Sequence, residues 1–282
     1  MAQRTTPTER QRRLGGELRK LRTAAGLSAE CAAGLLGVDR SRISNMEAGL
    51  RPISPERLRT LACNCDCRDE AYIDALVAMA QPGRGWWEKY RGTLPAGLLD
   101  IAEFEWHAMR MRTAHTVHIP GLLQTGDHAR TIFRVGVPPM PEHEIALRVA
   151  LRMERQQVLD GEGPCEYVGI VHEAALRMQF GGRVIALAQL EHLIAMSERD
   201  NVTLRVIPFE AGEFPGAGQT VVYAEGAVPQ LDAVQVDSTH GPEFLYLETQ
   251  LTKYRSQMDG MARVSLCPKD SRDFIHAIAR QL

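Results

Sequence analysis

The chain has 282 residues, 44% hydrophobic and 24% charged, with a formal net charge of −2. This is an ordinary globular composition, long enough for a small domain plus a larger one, and it argues against a disordered or fibrous chain. No apolar run reaches the length that spans a bilayer, and "MAQRTTPTERQRR" lacks an apolar signal core, so the expected location is the cytoplasm.

Six cysteines in a reducing compartment do not suggest a disulfide framework. The charge is unevenly spread. Residues 1–60 hold 12 Lys/Arg against 6 Asp/Glu, whereas the rest of the chain holds 21 against 29. A small basic head on an acidic body is expected where the head alone meets a polyanion.

In the head, Leu14, Leu18, Leu21 and Ala25 form one stripe of an amphipathic helix with an Arg-rich opposite face, closed by Gly26. Residues 1–13 read as a flexible arm. Ser28 stands at the N-cap of a second helix, "AECAAGLLG", which Gly37 stops. Asp39 caps a third helix, Arg40 to Met46 within "VDRSRISNMEAG", with Val38 and Ile43 placed as a hydrophobic staple. Ile43 and Met46 then point inward and Arg40, Ser41, Ser44 and Asn45 outward. Two short helices joined by a tight turn, the second with a polar outer face, make a helix-turn-helix. A fourth helix, "SPERLRTLA", ends in "LACNCDC", whose Cys63, Cys65 and Cys67 lack the Cys-x2-Cys spacing of zinc sites, so no metal is expected; Cys65 and Cys67 read as small hydrophobes and Cys63 as partly exposed. The run "QPGRG" at 81–85 marks a linker between a head over 14–80 and a body over 86–282.

The stretch "LRTAAGLSAECAAGLLGVDRSRISNMEAGLRPIS" resembles the Cro/C1-type (XRE) family of DNA-binding domains. That resemblance implies that the third helix enters the major groove, with Arg40, Ser41, Ser44 and Asn45 reading bases. Ser28, Arg42 and Arg51 are then placed for phosphates. Ala29 replaces the family's usual glutamine, which removes one backbone contact. Arg22 and Glu47 match positions that pair the first helix with the third. The resemblance also implies a homodimer on double-stranded operator DNA.

The body alternates helical and strand periodicities, giving an expected fold of an all-α helix-turn-helix head plus a larger mixed α/β (α+β) effector domain. Ile101, Phe104, Ala108 and Met111 give a helical stripe, "HTVHIP" reads as a strand, and "EHEIALRVALRMERQQVL" as a long helix. Strands follow at "EYVGIVH", "VTLRVIP", "QTVVYAE" and "DAVQVD", with a helix "GRVIALAQLEHLIAMSERD" between the first two. Helices over about 241–258 and from Ser271 close the chain. His115 and His118 are expected on opposite faces of their strand, and Thr125 as a helix N-cap. Trp86, Trp87 and Tyr90 are read as anchoring the linker. The segments "WWEKYRGTLP", "FEWHAMRMR", "IPGLLQTGDHAR", "RMERQQVL", "VHEAALRMQFGG", "QLEHLI" and "VVYAE" together resemble the DUF5753 (Scr1-type) domain attached to such heads in streptomycetes; His128 stands where that family tends to have tyrosine. This implies a regulator, sometimes paired with a small DUF397-type protein partner, and no established chemistry.

No phosphate cradle or zinc-protease helix is present in the sequence, so no catalytic residue, enzyme activity or cofactor is expected. Glu173 and Glu225, each ending an apolar strand, are the candidates for a hydrolytic alternative, with a structural role favoured for Glu173. The leading expectation is a sequence-specific transcription regulator whose body receives a signal from a small protein or ligand. The alternative is an antitoxin-like protein that sequesters a small partner and regulates its own operon.

Overall fold

The computed structural model describes residues 6–81, 85–161, 163–238 and 240–282, and the chain forms two compact units, Met1–Lys89 and Tyr90–Leu282. The expected linker falls largely outside the described residues, at 82–84, as do residues 1–5 of the expected arm.

Among the described residues the smaller unit has five α-helices: α1 (Glu9–Ala24), α2 (Ala29–Leu36), α3 (Arg40–Glu47), α4 (Pro55–Asn64) and α5 (Glu70–Ala80). The arm is corrected here, because α1 begins at Glu9. Thr8 and Gln11 close a capping box, each side chain bonding the other's backbone N–H, at 3.1 and 2.9 Å. Polar Arg13 and Glu17 turn inward rather than outward. They pair at 3.0 Å, and the Tyr72 hydroxyl of α5 donates to Glu17. Ala25, expected in the apolar stripe, is exposed and caps the helix. Ser28, Gly37 and Asp39 punctuate α2 and α3 as the sequence indicates, Gly37 in the left-handed region at φ 61°.

Helix α1 meets the end of α3 backbone to backbone at Gly15. A Cβ on Gly15 would stand 2.4 Å from the Glu47 carbonyl oxygen, whereas one on Gly16 would meet nothing within 4 Å. Gly15→Ala should therefore cost about 1–3 kcal/mol through overpacking, while Gly16→Ala should gain up to about 1 kcal/mol in helix propensity. Urea denaturation of the two variants checks this, and equal shifts would disprove the close contact.

Helix α4 ends at Asn64. Cys65 is its C-cap and Cys67 N–H bonds Ala62 O at 3.0 Å, so both thiols are half-buried while Cys63 is exposed. Burial, then the neighbouring Cys67, pushes the Cys65 thiol above its ordinary pKa, the opposite of an activated thiolate.

Among the described residues the larger unit is built on a six-stranded mixed sheet in the order β3-β2-β1-β4-β5-β6. The strands are β1 (Arg110–His115), β2 (Glu166–His172), β3 (Val202–Ile207), β4 (Val221–Glu225), β5 (Ala233–Ser238) and β6 (Gly241–Leu245). β1, β2 and β3 run parallel; β4, β5 and β6 continue antiparallel from β1. The helices are α6 (Ala96–Trp106), α7 (Gly126–Arg134), α8 (Glu142–Arg155), α9 (Glu173–Arg177), α10 (Arg183–Met196), α11 (Glu248–Val264) and α12 (Pro268–Gln281). Side chains alternate across the sheet. Met111, Tyr167, Leu204 and Val222 share one core with Leu190, Leu193 and Ile275 of α10 and α12. Ala114, Ile170, Ile207 and Tyr223 share another with Leu251, Met258 and Met261 of α11.

Four expectations in this unit are corrected. The strand placed at "HTVHIP" lies upstream, because Arg110–His115 finds partners on both sides and residues 116–118 only bend. Met111 accordingly leaves the helical stripe and joins β1. His118 lies past the strand end, so the face rule does not apply to it. The helix expected over 241–258 is first an edge strand, β6, and turns helical at Glu248. Thr125 does cap α7, accepting the His128 N–H at 3.3 Å. Of the aromatic trio, Trp86 and Trp87 sit edge to face at 5.8 Å, and Tyr90, in the larger unit, donates to Glu154 at 3.0 Å. Among the described residues no helix is long and apolar enough to cross a membrane.

Candidate nucleic-acid interface

Helix α3 is short and polar, and its position depends on its ends. Asp39 Oδ1 accepts the Arg42 N–H at 2.8 Å and the Ser41 hydroxyl at 2.5 Å. These two bonds, the hydroxyl first, hold the Asp39 carboxyl below its ordinary pKa, so the cap stays ionised. Ile43 and Met46 are buried, which fixes the face that α3 turns outward.

The far end is tied by a two-pronged ion pair. Arg22 Nε and Nη2 donate to Glu47 Oε1 and Oε2 at 2.5 and 2.9 Å, and Arg22 Nη1 reaches Leu27 O at 2.7 Å. One guanidinium thus holds α1, the turn before α2 and the end of α3. The Glu47 bond raises the Arg22 pKa further.

The structure sorts the candidate contact residues into two sets. Ser41, Arg42, Asn45 and Arg51 surround one open depression of about 430 Å³, together with Asp39 and Pro52. Arg51 is brought there by the loop after α3, where Leu50 and Arg51 N–H groups bond Asn45 O at 2.9 and 3.2 Å. Arg40 and Ser44 occupy the neighbouring stripe of α3, exposed, with the Ser44 hydroxyl bonding Arg40 O at 3.3 Å. Ser28 is exposed at the N-cap of α2 and accepts the Cys31 N–H at 3.1 Å. The depression carries two guanidinium groups against one carboxylate, which suits a phosphate oxygen or a base edge more than a cation. Sequence reading missed that Asp39 stands on this same surface; its role as a cap was the available signal.

The hydrolytic candidates sit elsewhere and are engaged. Glu173 is buried, and its two oxygens accept Arg177 Nε at 2.6 Å and Phe209 N–H at 2.8 Å. The α9 cap is His172, not Glu173: its Nδ1 accepts the Ala174 N–H at 3.2 Å. Glu225 pairs with Arg110 at 3.3 Å.

No curated protein and no solved structure matches the chain. A helix-turn-helix family model matches residues 13–76, the span that holds most of α1, all of α2 to α4 and most of α5. A second model, described as a domain of unknown function (DUF5753), matches residues 98–277, which carry the whole sheet. With that match over more than half its length, the chain belongs to the DUF5753 family and carries a helix-turn-helix DNA-binding head.

Proposed function

We propose that the protein is a sequence-specific DNA-binding transcription regulator that uses α3 as its reading helix and its larger unit as a receiver of a signal, without enzymatic activity. The supporting observation is the fixing of α3 at both ends, by the Asp39 cap and the Arg22–Glu47 pair, with Arg40, Ser41, Ser44 and Asn45 on its outer side. In this reading Arg40 takes guanine O6 and N7, and Asn45 takes adenine N6 and N7. Arg42, Arg51 and Ser28 hold the phosphates. A homodimer belongs to the proposal, because two such helices reach half-sites about 34 Å apart.

Arg40→Ala is expected to lose about 1–3 kcal/mol on the operator and little on scrambled DNA. Arg51→Ala should weaken both duplexes alike and reduce the salt slope by about one. Titrations on the two duplexes at two salt concentrations decide it, and equal losses for both variants would disprove the assignment. Co-purification with a small DUF397-type protein, with growth rescued by the complex, would favour the antitoxin-like reading instead.

A further inference from the structure

The larger unit holds a cavity that the DNA-reading surface does not use. Its volume is about 170 Å³, and it lies on the Met111 face of the sheet, against α6, α8 and the 3-10 turn Gly121–Leu123. A cavity of roughly 150 Å³ accommodates a benzene-sized molecule. Its wall is apolar on one side, with Ile101, Met111, Ile119, Leu122, Ile132 and Val222.

The polar side is more informative. Arg155 is neutralised by Glu105 through a bidentate pair at 2.6 and 2.7 Å. Arg152 has no such partner: Nη1 donates to Gln124 Oε1 at 2.6 Å, Phe133 lies under the guanidinium at 4.3 Å, and Nε is buried without a hydrogen bond. No carboxylate among the described residues lies within ion-pair distance of Arg152. His115, 7% exposed, also lines the cavity and leaves Nδ1 unbonded. Burial, then repulsion from Arg155, lowers the Arg152 pKa to about 9, which still leaves it charged at neutral pH. An unpaired guanidinium edge and an unbonded imidazole nitrogen in one cavity are unmet hydrogen-bonding demand, which costs stability unless something binds.

Gly121 packs directly beside this edge. A Cβ there would stand 3.9 Å from Arg152 Nε and 3.5 Å from Arg155 Nη2, and the methyl groups of a branched side chain would extend beyond it. Exposed His118 and Asp237 also line the cavity and mark its open end, with Asp237 accepting Gln235 Nε2 at 2.8 Å.

We propose that this cavity binds a small carboxylic acid with an apolar body, its carboxylate on the free edge of Arg152 and its hydrocarbon part against Ile119, Leu122 and Val222. The site goes beyond the regulator reading and rests on it only for its role as the signal input. The class has two sources, a simple carboxylic acid or an apolar amino acid, whose ammonium group would face Asp237.

The test is calorimetry on the full chain with 4-methylpentanoate, leucine, benzoate and the neutral 4-methylpentanamide. Saturable binding of at least one acid, with the amide about tenfold weaker or more, is expected from the loss of a charge-assisted pair. The ratio of leucine to 4-methylpentanoate identifies the source. Arg152→Gln should weaken the acid by about tenfold or more. Gly121→Val, which leaves every charge in place, should block it by filling the open edge and guards against a folding defect in the first variant. Equal binding of acid and amide, unchanged binding in Gly121→Val, or no saturable binding by any of the acids would overturn the proposal. Operator titrations with and without the bound acid separate the two readings: binding that leaves DNA affinity unchanged keeps the site and removes it as the signal input.

Discussion

Acidification from neutrality to about pH 4 is expected to cost the larger unit several kcal/mol of stability beyond ordinary carboxylate titration. The source is two buried neutral histidines. His128 is 1% exposed, with neither ring nitrogen hydrogen-bonded and Phe180 edge-on at 5.7 Å; burial, then His118 and Arg152, lowers its pKa from 6.5 to about 4. His115 is lowered to about 3 by burial, then by His118 and Arg152. Because both folded-state values lie below the unfolded one, the unfolded chain binds more protons as pH falls through 6.5. The stability is thus complete above about pH 6.5 and is lost progressively down to about pH 4 for His128 and pH 3 for His115. At about 1.4 kcal/mol per unit, His128 alone contributes about 3 kcal/mol. Thermal melts of the full chain and of His128→Phe at pH 7, 5 and 4 read this directly. The variant should lose less stability on acidification and be no less stable at pH 7, since it removes two unsatisfied nitrogens. Parallel pH profiles for the two proteins would contradict it.

Glu105→Ala is expected to destabilise the larger unit by about 3–5 kcal/mol, the usual result of breaking a buried pair by removing one partner. The side chains of Arg155 and Glu105 are 10% and 6% exposed, and Arg152 lies beside them, so the variant leaves two cations facing each other in a low-dielectric wall. The double substitution Glu105→Leu with Arg155→Met should recover most of the loss, because the desolvation of both charges disappears with them. Urea denaturation followed by tryptophan fluorescence measures all three proteins. A double variant as unstable as Glu105→Ala would show that the pair acts through something other than charge.

The head was readable because its signals are local. Ser28, Gly37 and Asp39 act on atoms two to four residues away, and the structure places all three as caps. Arg13 and Glu17 were not readable in the same way. Their burial depends on Tyr72, 55 residues from Glu17, and a charged pair gives no apolar stripe to detect. In the larger unit, "EYVGIVH" and "VTLRVIP" are apolar enough to declare themselves. β1 was displaced because its arginines hide the alternation, while Thr116 and Val117 just beyond it look more strand-like. β6 was missed for a physical reason: Pro242 removes a donor, which an edge strand tolerates and a central one does not. The depression beside α3 was half legible. Ser41, Arg42, Asn45 and Arg51 were named from their types, but their separation from Arg40 and Ser44, and the presence of Asp39 among them, required the course of the loop that brings Arg51 alongside Asn45.

The central position of β1 carries a consequence for synthesis of the chain. Its parallel neighbour β2 follows directly after α7 and α8, but Arg110 and its partner Glu225 on the antiparallel side are 115 residues apart. At a ribosomal rate of about 5–20 residues per second, one edge of β1 waits roughly ten seconds for β4 to emerge. The helical head, whose cap bonds all close within residues 8–72, can finish in that interval. A nascent chain stalled before residue 221 would therefore combine a complete DNA-binding head with an open sheet edge, the state in which a holdase or a second nascent copy has most to grip.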